Sequence, residues 1–317
     1  MLHSQQAGRT STLVPLVVDL DGTLTPTDTL VESVLLLARH SPLALLKLPL
    51  WLARGREVMK SEIARRVTIS PEQLPYRQDL LDYLRTEKAA GRELVLATAA
   101  HRSIAEPVAA YLGLFDQVLA TDGRRNLKGS NKLAAIREQV GPDFAYAGDS
   151  AADLAVWEGA QAAVLVGASS AVTRAVRARH AIEKEFPKPA VGLGTWRKAL
   201  RMHQWAKNVL LFVPLLTAFS FVPADVATML LAFLCFSTAA SATYIANDLW
   251  DLGNDRLHPR KRLRPFASGA LPITSGVAAA VLLLVGAFAL ASLINAGFVA
   301  MLLSYVVLTT AYSWLLK

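Results

Sequence analysis

Two aspartates, two positions apart, end the first apolar stretch of the sequence. Residues 17–25 read VVDLDGTLT, so Asp19 and Asp21 close a β-branched run and Gly22 follows them. Alternate residues of a β-strand point to the same face, and we therefore expect both carboxylates on one face of a sheet. Two close carboxylates repel each other unless they share a cation, and Mg²⁺ prefers oxygen ligands together with water and phosphate. The pair indicates phosphate chemistry.

Three later segments carry side chains suited to the same chemistry. Thr98 ends the apolar run LVLATAA, and its hydroxyl can bind a phosphoryl oxygen. Lys132 in LKGSNK can neutralise charge on a transferred phosphoryl group, and Lys128 in the same segment is an alternative. Asp149 and Asp153 in AYAGDSAADLAVW lie one helical turn apart. Taken singly, such aspartates could be turn formers or helix caps, but the joint order of the four segments favours a site.

A second set of aspartates follows an apolar helical run near the C-terminal end. Asp248, Asp251 and Asp255 are spaced i, i+3 and i+7, so a continuous helix would present them on one face beside Asn247. Carboxylates at the end of a membrane helix are costly unless they face a cavity or bind a partner. A divalent cation held there could bind a diphosphate. Bases that follow could hold the same phosphates or only orient the topology: Arg256, Lys261, Arg262 and Arg264.

The first half of the chain, which contains the phosphate-chemistry residues from Asp19 to Asp153, alternates between strand and helix patterns. LVPLVVDLD, RELVLATAA and FAYAGDS are apolar runs that end in polar residues, which is typical of buried strands. Helical patterns such as SNKLAAIREQV lie between them, so the first half predicts an α/β domain with a parallel sheet covered by helices. Residues 28–91 are mostly helical and too many for a connection, which predicts an inserted cap.

From residue 196 onward the pattern is that of a membrane protein. TWRKALRMHQWAKN is basic and aromatic, as expected of an interfacial segment. Four apolar runs follow, near the ~20 residues that a spanning helix requires: 209–222, 226–246, 273–294 and 298–316. The basic loop between the second and third runs predicts that this side faces the cytoplasm. We expect a first domain at 1–187, a linker with an interfacial helix at 188–205, and a transmembrane domain from 206 to 317.

Composition narrows the classes of partner and the compartment. The net charge is +8, but the bases lie beside apolar runs rather than among exposed aromatics, so nucleic acid is not expected as a partner. The single cysteine, Cys235, excludes an intrachain disulfide and a cysteine metal cluster. The N-terminal residues lack the pattern of a secretory signal. We expect a multi-pass protein of the inner (cytoplasmic) membrane, with the first domain on the cytoplasmic side.

The order of the first four segments resembles the haloacid dehalogenase (HAD) superfamily of phosphohydrolases over residues 13–167. The resemblance implies a Rossmann-like α/β domain with a helical cap and a Mg²⁺-dependent phosphatase for a phosphorylated small molecule. Asp19 would be the nucleophile, and Asp21 would be the general acid and base. Thr98 and Lys132 would hold the phosphoryl group. The Mg²⁺ site would comprise Asp19, Asp149 and the Leu20 carbonyl, supported by Asp153.

The second set resembles the UbiA superfamily of intramembrane prenyltransferases, whose first aspartate-rich motif, N-D-x-x-D-x-x-x-D, is complete at 247–255. The resemblance implies an all-α transmembrane bundle and Mg²⁺ bound by Asp248, Asp251 and Asp255. HQWAKNVLLFVPLL and DRLHPRKRLRPFASG look like the branch that transfers phosphoribose from phosphoribosyl diphosphate to polyprenyl phosphate. The implied substrate-binding residues are Lys207, Asn208, Asn247, Arg256, His258, Lys261, Arg262 and Arg264.

The sequence departs from the second family in one respect. It ends at Lys317 after about four predicted membrane helices, without a second aspartate-rich motif, and we expect a fragment or truncation that lacks the C-terminal half of the domain. The expected function is a bifunctional membrane enzyme, a phosphatase fused to a phosphoribosyl transferase. Two alternatives stay open: a transferase that moves a prenyl group from prenyl diphosphate to an aromatic or other acceptor, and a phosphatase with a non-catalytic membrane anchor.

Overall fold

The computed structural model describes residues 13–122, 126–219 and 221–315 of the protein. The chain divides into two units, which are described separately. The first comprises Met1–Pro71 and Tyr76–Lys188, and the second comprises Glu72–Pro75 and Pro189–Lys317.

A six-stranded sheet forms the centre of the first unit, and all of its strand pairs are parallel. The strand order is β3-β2-β1-β4-β5-β6, so the chain moves outward from β1 in one direction and then returns to β1's other side. Ligands bind at such a switch point in open α/β sheets. The predicted parallel sheet is confirmed, with the strands β1 (Leu16–Val18), β2 (Leu94–His101), β3 (Gln117–Thr121), β4 (Ala145–Gly148), β5 (Ala162–Val166) and β6 (Ala181–Phe186).

Helices surround this sheet and bury its apolar side chains. Phe144, Tyr146 and Trp157 are fully buried and form the bulkiest part of a core that includes Val17 and Val95. Burial of such side chains is the main favourable term in folding, and it fixes the strands at the centre of the unit. The helices are α1 (Thr29–His40), α2 (Leu48–Ala53), α3 (Arg56–Ala64), α4 (Gln78–Ala89), α5 (Arg102–Leu112), α6 (Ser130–Gln139), α7 (Leu154–Trp157) and α8 (Ser170–Arg177).

The first three helices lie between β1 and β2 and have a small core of their own. Leu37, Trp51, Ile63 and Val67 are buried together in this cluster, apart from the cluster under the sheet. The N-terminus of helix α1 is stabilised by its N-cap, Asp28, whose side chain accepts hydrogen bonds from two backbone amides of the first turn. The helices α1 to α3, with the 3₁₀ segment Pro42–Lys47 between α1 and α2, are called the cap below.

The second unit consists of helices, of which three are long and apolar enough to cross a membrane: Pro223–Trp250, Ile273–Ala291 and Ala296–Trp314. Small side chains such as Ala239 and Ala287 are buried between them and permit close helix packing. The helices of this unit are α9 (Leu193–Ala199), α10 (Val213–Thr217), α11 (Pro223–Trp250), α12 (Leu252–Leu257), α13 (Ile273–Ala291) and α14 (Ala296–Leu315), with 3₁₀ segments at Met202–Phe212 and Lys261–Leu263.

The prediction of a fourth spanning helix, at 209–222, is wrong for the described residues. That stretch contains the end of the 3₁₀ segment Met202–Phe212 and the short helix α10. Pro214 has no backbone N–H to continue a preceding helix, and it lies in the first turn of α10. Phe219 then takes a positive φ of 50°, which a helix does not tolerate. The described part of the domain therefore has three apolar helices of spanning length rather than four.

Candidate functional site

The predicted nucleophile lies at the end of the central strand and is paired with the predicted lysine. Lys132 Nζ is 2.9 Å from Asp19 Oδ1, and the Leu20 amide donates to the same oxygen at 2.8 Å. Among the described residues, both contacts of the Asp19 carboxylate are made by Oδ1, so Oδ2 is available to react with a substrate. Lys132 is buried in the first turns of α6, whereas the alternative, Lys128, is exposed. The structure thus brings Asp19 together with Lys132.

Asp21 is held in place by the first residue of the cap. Its Oδ1 accepts from the Thr29 amide at 2.9 Å, and its Oδ2 accepts from the Thr29 hydroxyl at 3.2 Å. The turn between Asp19 and Asp21 carries the chain out of β1, and Gly22 follows with a φ of 79°. Asp21 therefore lies beside Asp19 at the mouth of the switch point, with its orientation set by two bonds.

Asp149 and Asp153 follow β4, the strand next to β1. Asp153 Oδ1 accepts from the Tyr146 hydroxyl at 2.7 Å, and its Oδ2 accepts from the Asp149 and Ser150 amides at 3.3 and 3.1 Å. Lys132 donates to the same Tyr146 hydroxyl at 2.8 Å. Because both oxygens of Asp153 are bonded, its role is to fix the loop that presents Asp149.

The acidic side chains at the switch point form a group that fits a divalent cation. Ligand oxygens of Asp19, Asp149 and Asp153 lie within 4.8 Å of one another, the one such group of acidic, histidine or cysteine side chains among the described residues. A Cβ placed on Gly22 would lie 2.4 Å from Asp149 Oδ2, so a glycine is required where the chain passes this carboxylate. A set of carboxylate oxygens in a tight cradle suits Mg²⁺.

Burial raises the pKa values of three carboxyl groups at this site. Burial raises the pKa of Asp19 to about 6, although Lys132 acts in the opposite direction. Burial, together with Asp28, raises the pKa of Asp21 to about 7. Burial, together with Asp153 and Asp19, raises the pKa of Asp149 to about 7. Lys132 and Arg77 act in the opposite direction on Asp149 without cancelling the effect of burial, so a bound cation would stabilise the ionised carboxylates.

Thr98 is fully buried near the end of β2, the other neighbour of β1. Leu96 pairs with Val18 in the parallel register, so Thr98 lies at the level of the loop that follows β1. Its hydroxyl accepts from the Ala100 amide at 3.0 Å, and the register of β2 with β3 shifts between Thr98 and His101. The irregular strand end turns backbone groups toward the same edge of the sheet as Asp19.

Two cations that the sequence patterns did not indicate also lie at this edge. Lys60, on cap helix α3, donates from Nζ to the Ala99 carbonyl at 2.5 Å and to the Asn126 side chain at 3.3 Å. Burial lowers its pKa, against the opposite effect of Asp21. Arg77 donates to the Gly22 carbonyl at 3.3 Å, and its buried Nε has no partner among the described residues. Neither belongs to a recognisable motif, so only the fold could identify them.

The second set of aspartates lies in the helical unit, where basic side chains already pair with two of its members. Asp248 and Asp255 are 3% and 1% exposed, and Arg264 Nη1 contacts them at 3.1 and 2.6 Å. Arg201 also pairs with Asp248, and Lys261 lies 3.8 Å from Asp255. Arg201 was not among the predicted site residues.

The expected continuous helix is interrupted within the motif. Helix α11 ends at Trp250, Asp251 lies between the helices, and α12 begins at Leu252. The ligand atoms of Asp248, Asp251 and Asp255 do not form a metal-compatible group of the kind found at the switch point, among the residues described. The structure therefore brings Asp248 and Asp255 together around Arg264 and leaves Asp251 at the break.

The other predicted substrate contacts have varied surroundings. Asn208 donates to the Ser237 hydroxyl at 3.1 Å, and Arg256 Nε donates to the Ala267 carbonyl at 3.1 Å. His258 Nδ1 accepts from the Arg260 and Lys261 amides at 3.2 and 3.3 Å, so it caps the 3₁₀ segment Lys261–Leu263. Asn247 is half-buried, and the side chains of Lys207 and Arg262 are exposed.

Family models match both halves of the chain. Residues 16–158 match the family model of the haloacid dehalogenase-like hydrolases. Residues 209–317 match the family model of the UbiA prenyltransferases. The chain joins a HAD-like domain to a UbiA-family domain. Both resemblances that the motifs indicated are thereby confirmed, and the two domains are of hydrolase and transferase type.

Individual relatives of this HAD–UbiA chain cover it to different extents. The uncharacterized protein y4nM of Sinorhizobium fredii is 40% identical over 309 residues, which cover 96% of this chain and 59% of y4nM. Decaprenyl-phosphate phosphoribosyltransferase of Mycobacterium tuberculosis is 39% identical over 125 residues, which cover 38% of this chain and 41% of that enzyme. A solved structure from Bordetella pertussis, of unknown function, has 19% identity and a TM-score of 0.44, covering 54% of this chain and 99% of its own. The chain thus spans about six tenths of y4nM.

Proposed function

We propose that the HAD-like domain is a Mg²⁺-dependent phosphomonoesterase that reacts through an aspartyl-phosphate on Asp19. The observation that carries this proposal is the convergence of Lys132 and the acidic group Asp19, Asp149 and Asp153 at the β1–β4 switch point. A nucleophile, a phosphate-neutralising cation and a cation-binding cradle are the parts that phosphoryl transfer requires.

The first step uses the oxygen of Asp19 that no described donor binds. Oδ2 attacks phosphorus, a bond forms between them, and the bond from phosphorus to the ester oxygen breaks. The Asp21 carboxyl gives its proton to the departing oxygen, as a general acid. Since burial raises the pKa of Asp21 to about 7, a substantial share of this carboxyl is protonated at neutral pH. Lys132 offsets negative charge on the phosphoryl oxygens.

The second step regenerates Asp19. The Asp21 carboxylate accepts a proton from water, the water oxygen attacks phosphorus, and the bond from phosphorus to Asp19 breaks. Phosphate leaves, and both aspartates return to their starting states. When bound, Mg²⁺ supplies positive charge beside the phosphoryl oxygens, and Asp19, Asp149 and the Leu20 carbonyl would hold it. Asp153 keeps Asp149 in position through the bonds that its carboxylate accepts from the Asp149 and Ser150 amides.

We propose further that the UbiA-family domain belongs to a transferase that moves phosphoribose from phosphoribosyl diphosphate to a polyprenyl phosphate at the cytoplasmic face of the inner membrane. The similarity to decaprenyl-phosphate phosphoribosyltransferase supports this activity. Asp248 and Asp255 would bind Mg²⁺, while Arg201 and Arg264 would move from these carboxylates to the diphosphate. The product carries a 5-phosphate on its sugar, which is the group that a phosphomonoesterase in the same chain would remove.

Prenyl transfer from a prenyl diphosphate is the second candidate, because the matched family is that of the prenyltransferases. Both reactions use a diphosphate and Mg²⁺ at the same aspartates, so donor identity separates them. Radiolabelled phosphoribosyl diphosphate and labelled prenyl diphosphate are offered in parallel to the chain in nanodiscs. Asp248→Asn and Asp255→Asn should abolish transfer of whichever label is accepted, since these two carboxylates are the proposed Mg²⁺ ligands. If neither variant alters any activity, the membrane domain is an anchor.

The phosphatase is tested on the whole chain in nanodiscs with Mg²⁺. Phosphate release is measured from soluble phosphosugars and from polyprenyl-phosphoryl-5-phosphoribose. Asp19→Asn should reduce release to background, since it removes the nucleophile. The matched control is Asp82→Asn on α4, whose side chain is 71% exposed and should tolerate the same change. Persistent activity in Asp19→Asn would refute the mechanism, and activity on soluble phosphosugars alone would separate the two domains' substrates.

A further inference from the structure

The cap carries an apolar surface that the fold leaves uncovered. Its 3₁₀ segment and α2 form a short apolar helical stretch, Pro42–Ala53. One side of this stretch packs inward, with Trp51 buried and Leu45 and Leu48 against the cap core. On the other side four leucines are exposed to 79%, 80%, 53% and 50%, respectively: Leu43, Leu46, Leu50 and Leu52. A cluster of exposed leucines on one short element is unusual for a soluble domain and indicates an interaction surface.

The charged residues within and directly beside the leucine segment are all basic, and the first acid that follows is Glu57 on α3. Residues 39–56 contain Arg39, Lys47, Arg54 and Arg56, and no aspartate or glutamate. The side chains of Lys47, Arg54 and Arg56 are exposed, next to the leucines. An apolar stripe flanked by cations is the composition of segments that lie in the interface of an anionic bilayer. We call Leu43, Leu46, Leu50, Leu52 and the three exposed cations the leucine patch.

We propose that the leucine patch docks the cap onto the surface of the lipid bilayer, with the leucines in the interface and the cations on anionic headgroups. The stretch Pro42–Ala53 has 12 residues, so it is too short to span the ~30 Å hydrocarbon core and would lie along the surface. Pro42 begins the stretch, and Pro49 lies in the first turn of α2, where the 3₁₀ segment gives way to the helix.

A bilayer is favoured over a protein partner for two reasons. The same polypeptide contains three helices long and apolar enough to cross a membrane, so a bilayer surface is always within reach of the tethered domain. The uniform positive charge also matches anionic lipid headgroups, whereas a second copy of the chain would present the same cations to itself. Contact between the leucine patch and the bilayer does not depend on the phosphatase chemistry of the domain.

The test places a fluorescent label on the patch of the whole chain. Leu46→Cys is labelled with an environment-sensitive dye and inserted, at one chain per nanodisc, into phosphatidylglycerol or phosphatidylcholine. Arg85→Cys, on α4 and 54% exposed, is the matched control label. The parent chain, whose single cysteine Cys235 is buried, gives the labelling background. We expect a blue-shifted emission at position 46 and at least twofold quenching by brominated lipid, with neither at position 85.

Each other outcome overturns the proposal. Equal emission and equal quenching at the two positions would leave the patch in water. A blue shift without bromine quenching would mean that the chain itself covers it, and a blue shift only at two chains per disc would mean that a second copy does. Finally, replacing Lys47, Arg54 and Arg56 by Gln should reduce quenching in phosphatidylglycerol toward the phosphatidylcholine level. An unchanged lipid preference would refute the role of the cations.

Discussion

The two domains each contain a group of buried aspartates, but the charge around the groups differs. At the switch point of the HAD-like domain, Lys132 pairs with Asp19, and Lys60 and Arg77 lie at the same edge. Burial nevertheless raises the pKa values of Asp19, Asp21 and Asp149 to between about 6 and about 7. In the UbiA-family domain, basic side chains contact both buried aspartates. Arg264 bridges Asp248 and Asp255, with Arg201 and Lys261 alongside.

The difference suggests two ways of preparing an acidic site for phosphate chemistry. In the first site Asp21 and Asp149 have no ion pair among the described residues, and we expect this site to bind a cation by itself. The second site carries its own counter-charge, so a cation alone would have to displace arginines. A cation that binds together with a diphosphate would be coordinated by the carboxylates, and the arginines would then form ion pairs with the phosphates.

Asp21→Asn should lower phosphatase turnover by about 10³-fold, because the variant can neither give nor accept the proton. The loss should be smaller for the first step with 4-nitrophenyl phosphate, whose leaving group needs little protonation. Burst kinetics of nitrophenol release measure this difference. Asp28→Asn is the control for the position of the cap, since its amide oxygen can still cap α1. Because Asp28 also helps to raise the pKa of Asp21, this variant should shift the pH optimum downward and keep most of the turnover. Equal losses of activity in both variants would mean that Asp21 acts by holding the cap in position rather than by transferring a proton.

Arg264→Ala should destabilise the membrane domain by about 3 kcal/mol, since it removes the cation shared by two buried carboxylates. Thermal unfolding in detergent measures the change. Arg262→Ala, an exposed arginine two positions away, should have little effect. Similar stability of the two variants would mean that Arg201 and Lys261 suffice, and the contrast between the sites would weaken.

Mg²⁺ should stabilise the HAD-like domain in a pH-dependent manner. The folded pKa values of Asp19 and Asp149 lie above the ordinary 3.8, so without metal the protonated forms favour folding and that stability is lost as pH rises through 6 to 7. Mg²⁺ competes with these protons, so its stabilising effect should grow over the same range. At about 100 times its Kd it should reach about 2.7 kcal/mol. Melting temperatures with and without Mg²⁺ from pH 5 to 8 measure this.

Two glycines provide a matched control for the cation site. Gly22 and Gly91 have similar positive φ values of 79° and 84°, but only at Gly22 would a Cβ meet Asp149, at 2.4 Å, whereas nothing lies within 4 Å at Gly91. Both alanine variants should bear a strain of about 1 kcal/mol. Only Gly22→Ala should lose the Mg²⁺-dependent shift. A retained shift in that variant would place the ion elsewhere.

Lys60→Met should raise the KM for anionic phosphosugars about tenfold while altering kcat for 4-nitrophenyl phosphate little. The reason is that Lys60 extends from the cap to the Ala99 carbonyl, next to Thr98, and we expect its ammonium group to pair with an anionic part of the substrate other than the phosphoryl group. Lys184→Met, on an exposed position of β6, is the control. A change in kcat with unchanged KM would instead assign Lys60 to support of the β2 end.

The sequence was sufficient for the sheet and for the acidic constellation of the first domain. Asp19 and Asp149 follow apolar runs that the alternation predicts as strands of one parallel sheet, whose carboxyl ends meet at one edge. That the two strands are neighbours comes from the structure. Lys60 and Arg77 could not be found in this way. Lys60 lies on the cap and Arg77 lies directly before α4, and their contacts depend on tertiary packing that a local sequence pattern does not indicate.

Prediction was less successful in the membrane half, for identifiable reasons. Hydropathy alone marked residues 209–222 as a span, but a proline and a positive φ at Phe219 limit that stretch to short helical turns. The helical spacing of Asp248, Asp251 and Asp255 assumed a continuous helix, which ends at Trp250. Arg201 lies 47 residues before its partner Asp248, and a pairing of that range is not visible in a spacing pattern.

The separate core of the cap has a consequence for how substrate enters. The nucleophile and the acidic cradle follow β1 and β4, which pair with each other in the sheet, and Lys132 lies on α6. The cap instead buries Leu37, Trp51, Ile63 and Val67 in a cluster of its own. Regions with independent small cores open as cooperative units at lower free energy than the whole domain. We therefore expect amide hydrogen exchange to show the cap exchanging as one early unit while β1 and β4 remain protected, so that substrate is admitted without disassembly of the reacting groups.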